Sequence, residues 1–174
     1  MKKINFWFVK RANFVNSSPQ TDKVKKDIKM ALFQECMRFV EKRINNTTIA
    51  LNEVQESFDS ETKSTAGDKH DTALAMMQLE AEQISKQLSE ATKLKQSLLP
   101  IDPAEKHTTS RLGSLVIASN GNFYIAISAG KIELEDAVFF AVSPFSPMGQ
   151  VLMDKKAGDS AKFNDLKITI KEIL

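Results

Sequence analysis

The side chains best placed to do chemistry in this sequence are Asp68, His70 and Asp71, gathered in Gly67-Asp68-Lys69-His70-Asp71. Two carboxylates three residues apart share one face of a helix, and their hard oxygens suit a divalent cation. The same acids also suit the start of a helix. Asp68 can cap its first turn, and Asp71 stands where a carboxylate favours the positive helix end. Capping and ion delivery both explain the pair. Elsewhere the inventory is thin. His107 stands alone in a polar stretch and reads as solvated. The single cysteine, Cys36, makes neither a CxxC pair nor an internal disulfide, which fits a reducing compartment and a plain helix residue. The sequence holds no GxGxxG, phosphate loop, GxSxG or HExxH, so no catalytic centre of its own is expected, and no intrinsic cofactor or small-molecule substrate.

The elements on either side of the acids explain why they matter. Met30, Phe33, Met37, Val40, Ile44, Thr47, Leu51, Val54 and Phe58 follow one another at steps of three and four, the seam of a heptad repeat. A second seam runs through Leu74, Met77, Ala81, Ile84, Leu88, Ala91, Leu94 and Leu98 and stops at Pro100, which cannot donate its backbone N–H. Between them the apolar pattern lapses over residues 59–72, with Gly67 and small hydroxyl residues permitting a reversal. Two long helices joined this way fold back on each other, with a dimeric parallel coiled coil or part of a bundle as the competing arrangement. The acids then sit at the hairpin tip, where a long rod can carry hard ligands into a recessed site of a partner.

After residues 101–110, polar and holding Pro103, the period becomes that of strands. Leu115-Val116-Ile117 and Phe123 to Ile127 flank Asn120-Gly121, which predicts a hairpin turn there. Val138 to Val142 and the alternation of Leu166, Ile168 and Ile170 predict further strands, and Pro147 to Lys155 reads as a short helix before a turn at Gly158-Asp159. The class is α+β, segregated along the chain. Its divisions are a flexible arm over 1–21, an antiparallel helical hairpin with an acidic tip over 22–100, a linker over 101–110 and a small β-rich domain over 111–174.

Charge limits the partners. Of 174 residues, 24 are Lys or Arg and 22 Asp or Glu, a net charge of +2, too little for bulk electrostatic attraction to nucleic acid. Ile4 to Val9 follows Lys2-Lys3 but is interrupted by Asn5 and lacks a small-residue cleavage site, and no run approaches the roughly 18 apolar residues of a membrane helix, so a cytoplasmic protein without a membrane partner is expected.

Two segments resemble the Gre family of bacterial transcript cleavage factors, and Glu61-Thr62-Lys63-Ser64 with Met76-Met77-Gln78-Leu79-Glu80 looks like a divergent Bacteroidetes-like branch of it. Gly67-Asp68-Lys69-His70-Asp71-Thr72-Ala73 is similar to the family's tip, Gly-Asp-x-x-acid-Asn-Ala, with Asp71 shorter than the usual glutamate and Thr72 in place of the asparagine. Ser146 to Asp159 is similar to its Ser-Pro-x-x-x-x-Leu-x-x-Lys-x-x-Gly-Asp segment. The resemblance covers roughly Lys23 to Leu174. It implies an FKBP-like C-terminal domain docking on RNA polymerase through Ser146, Pro147, Leu152, Lys155, Gly158 and Asp159. It also implies a coiled coil entering the polymerase secondary channel, where Asp68 and Asp71 share a Mg²⁺ with the polymerase and stimulate its cleavage of backtracked RNA. Lys23, Lys25, Lys26, Lys29, Arg38, Lys42 and Arg43 line the first helix; among them Arg38, Lys42 and Arg43 are candidates to contact extruded RNA, against the plainer reading of a solvated face. The alternatives are a channel-binding inhibitor, an adaptor for another coiled coil, and a peptidyl-prolyl isomerase using Phe123, Tyr124, Phe139, Phe140 and Phe145.

Overall fold

The computed structural model describes residues 19–62, 68–134 and 137–174. Two long helices, α1 (Pro19–Thr62) and α2 (Asp68–Leu98), precede β1 (Leu115–Ala118), β2 (Gly121–Ile125), β3 (Gly130–Leu134), β4 (Ala137–Val142), α3 (Pro147–Leu152), β5 (Ser160–Phe163) and β6 (Leu166–Ile173). The fold is therefore α+β, a helical region followed by a six-stranded mixed sheet. The chain divides into two compact units: Arg38–Ser97, and Met1–Met37 together with Leu98–Leu174. The expected arm, residues 1–18 of it, lies outside the described residues; α1 opens at Pro19, a residue whose fixed φ and missing N–H suit a first helical position.

Within Arg38–Ser97 the two helices run antiparallel. Glu41 pairs with Lys95 at 3.1 Å and Arg43 with Glu90 at 3.9 Å; farther along, Thr47 lines a groove with Ile84, and Val54 and Phe58 line another with Met77 and Ala81. Numbers rising on α1 meet numbers falling on α2. Val40, Thr47 and Ala91 are buried, whereas Ile44, Leu51, Val54, Phe58, Met77, Ile84 and Leu88 are half-buried, because two helices alone cover only one side of each seam residue. Buried Thr47 is tolerated because its hydroxyl donates to the Arg43 carbonyl one turn back.

In the other unit the strand order is β3-β4-β2-β1-β6-β5, with β2 and β4 parallel and the remaining neighbours antiparallel. One face forms a core of Val116, Ala118, Phe123, Ile125, Ile168, Ile170 and Ile173, closed by Leu152 of α3. The paired Leu115 and Tyr124 point to the opposite face and are also buried. On α1 the buried stripe here is Lys25, Ile28, Lys29, Leu32 and Cys36. This shifts the expected seam: Phe33 and Met37 are half-buried and Met30 is 36% exposed. Lys25 pairs with Glu172 of β6 and Cys36 lies beside Tyr124, so the sheet selects which face of this part of α1 is covered.

Three local expectations change. Ala118 pairs with Gly121, so the β1–β2 loop residues are Ser119 and Asn120, one position earlier than Asn120-Gly121; the burial of the Leu115–Tyr124 and Val116–Phe123 pairs sets that register. The turn with both central residues at positive φ is instead Asn164-Asp165, at 47° and 64°, between β5 and β6. Strands β3 and β5 have no apolar run to announce them. They are the sheet's edge strands, where lysine and glutamate are tolerated.

Candidate functional site

The acids stand at the start of α2. Helix α2 opens at Asp68, placing Asp68, Lys69, His70 and Asp71 in its first turn. Asp71 is exposed; the side chains of Asp68 and His70, and all of Lys63–Gly67, lie outside the described residues. Among the described residues no group of three or more His, Cys, Asp or Glu side chains could hold a metal ion, so two tip carboxylates need further ligands from elsewhere to complete a coordination shell.

The segment Ser146 to Asp159 is built by its own hydrogen bonds. Ser146 caps α3, its hydroxyl accepting from Gly149 N–H at 3.1 Å, and Pro147 follows at the helix start. Leu152 is fully buried in the core. Ser110 pins the next turn: its N–H donates to the Lys155 carbonyl and its hydroxyl accepts from Lys155 N–H, both at 2.8 Å. Gly158, at φ 93°, completes a turn in which Asp159 Oδ2 accepts from Lys156 N–H at 2.8 Å. Ser146, Leu152 and the Lys155 backbone are thus used in folding, and Pro147, Gly158 and Asp159 are exposed.

The basic residues divide. Lys42 and Arg43 line a groove of about 480 Å³ with Phe39 and Gln87, and Arg38 is exposed on the same helix. Lys25 and Lys29 are buried, which overturns their solvated reading. Lys29 Nζ donates to the Glu105 carbonyl at 2.6 Å, and burial, opposed by Glu105 and Asp102, pulls its pKa down from 10.5 to about 8. His107 is buried too, not solvated. Its Nδ1 lies 2.6 Å from Ser114 Oγ, and burial holds its pKa below the ordinary imidazole value. Ile101, Pro103, His107 and Ser110 are all buried, so the stretch read as a linker packs into this unit's interior. A buried histidine or serine in a polar segment leaves no local sequence signal.

The aromatics singled out for an isomerase pocket are dispersed. Phe123 and Tyr124 are consecutive on β2 and face opposite sides; Phe139 is buried, and Phe145 is 87% exposed. Phe140 is partly exposed with its ring 5.9 Å from that of Phe123. No described helix is long and apolar enough to cross a membrane.

No protein-family model and no curated protein matches the sequence. Among solved structures, that of the transcription factor Gfh1 is similar at 16% identity and a TM-score of 0.34, with 79% of this chain and 92% of that one covered.

Proposed function

We propose that the chain is a bacterial, cytoplasmic transcription elongation factor of the Gre kind that binds RNA polymerase and stimulates cleavage of backtracked RNA. The observation that carries this reading is a pair of long antiparallel helices, the second of which opens with Asp68 and Asp71 in its first turn, in a chain whose sheet unit holds the Gre-like Ser146–Asp159 segment. The sheet unit, FKBP-like in this reading, docks at the rim of the secondary channel through the exposed Pro147, Gly158 and Asp159, and the hairpin enters the channel. Asp68 and Asp71 lend carboxylate oxygens to a Mg²⁺ shared with the polymerase, which activates water for phosphodiester hydrolysis. The polymerase does the chemistry, and the factor is not itself an enzyme. Arg38, Lys42 and Arg43 lie along α1 for contact with extruded RNA.

A second reading, inhibition by channel occupancy, is favoured by the short reach of Asp71 and by Lys69 between the acids. Binding is common to both. The full chain should co-purify with bacterial core RNA polymerase and be displaced by an established secondary-channel factor. Absence of binding, or binding that such a factor does not reduce, would overturn both readings.

A further inference from the structure

A cleft of about 530 Å³ lies between the start of α1, residues 103–108 and the end of β6, within the sheet-containing unit and outside the tip and docking residues. Its wall carries Lys23, Lys25, Lys26, Lys29 and Lys106 against two acids, Glu105 and Glu172. Both acids are engaged: Lys25 binds Glu172 and Arg111 binds Glu105. Lys23 and Lys26 are exposed at the cleft, and Lys29 is buried against its wall.

His107 supplies the second feature. Ser114 Oγ accepts from Arg111 N–H at 3.0 Å and lies 2.6 Å from His107 Nδ1; we assign the serine hydroxyl as the donor to Nδ1 of the neutral ring. That assignment leaves the imidazole proton on Nε2. Nε2 is buried on a side chain only 2% exposed, and the Glu105 carboxylate faces it at 3.4 Å, too long for a good hydrogen bond yet close enough to oppose the effect of burial on the imidazole. Glu172 Oε2 is likewise buried and unpartnered. Burying polar atoms unsatisfied costs about 1–3 kcal/mol each, a cost that a bound ligand would offset.

We propose that this cleft binds a small diphosphate-bearing anion, held by Lys23, Lys26 and Lys29 and by His107 Nε2–H. Ammonium and imidazole donors around one cavity match the clustered oxygens of a diphosphate, and the volume leaves room for a nucleoside attached to it. Glu172 Oε2 then accepts from a hydroxyl or amino group of that remainder. The site stands independently of polymerase binding.

Calorimetry of the full chain with inorganic pyrophosphate tests it. Saturable binding should be weakened about tenfold in Lys23→Gln/Lys26→Gln and unchanged in Lys162→Gln/Lys167→Gln, which removes the same charge from β5 and β6. Lys29→Met should weaken it about as much. Lys29, faced by Glu105, Asp102, Arg111 and His107, regains its proton beside the anion, so binding at pH 8.5 should take up protons, read by repeating the titration in buffers of different ionisation enthalpy. The His107 ring signals should shift on titration. Tighter binding of ADP than of pyrophosphate assigns the remaining volume to a nucleoside, and equal binding makes free diphosphate the ligand. No binding at millimolar pyrophosphate, or equal weakening by both lysine pairs, overturns the proposal.

Discussion

Lys29 keeps an ammonium group where water is scarce, and its protonation couples to folding. Because its pKa falls from 10.5 in an exposed chain to about 8 in the fold, the unfolded chain binds more protons between those values. The stability cost of burying it is therefore full at neutral pH and fades as pH rises from 8 toward 10.5. Lys29→Met should melt a few degrees above wild type at pH 7, with the difference shrinking over that window; a difference independent of pH would contradict the assignment. Gly149 shows a constraint of another kind. A Cβ there would stand 1.9 Å from the Ser143 carbonyl oxygen, so Gly149→Ala must displace backbone. Chemical denaturation should record a loss of about 3 kcal/mol, and a loss under about 1 kcal/mol would show that the 143–149 backbone yields. A glycine inside a short helix is a visible signal of close approach. The burial of Lys29, His107 and Ser110 is not visible, since it depends on which segments pack together.

Periodicity made the long elements legible. The steps of three and four from Val40 to Phe58 and from Met77 to Ala91 did become stripes of two antiparallel helices. The same pattern misplaced the stripe at Met30, Phe33 and Met37, because there α1 answers to Tyr124 and Glu172 of the sheet unit. Strands β3 and β5 escaped notice because edge strands need no apolar run. The uneven burial of the hairpin seam has an energetic consequence. Val40→Asp places a charge at a fully buried position and should cost about 4 kcal/mol, whereas half-buried Leu51→Asp leaves its carboxylate access to water and should cost about half as much. Thermal melts followed by circular dichroism would separate them, and equal losses would mean the seam is evenly covered.

At the scale of the molecule, a helical hairpin and a mixed sheet divide the labour that the proposed function requires, one to reach and one to dock. The order of helices and sheet, and the short helix within Ser146–Asp159, were readable from residue spacing. The diphosphate cleft was not, because it joins the first helix, a supposed linker and the last strand. The central claim rests on whether Asp68 and Asp71 do more than start α2. Asparagine caps a helix about as well as aspartate but is a much poorer Mg²⁺ ligand, so Asp68→Asn/Asp71→Asn separates folding from chemistry. Cleavage of backtracked RNA by stalled polymerase, measured at limiting Mg²⁺ with each protein at saturating occupancy, is the most direct measurement. Wild type should accelerate cleavage, and the double variant should compete for the same polymerase yet lose that acceleration by at least tenfold. Undiminished cleavage with the double variant, or no acceleration by wild type, would contradict the account.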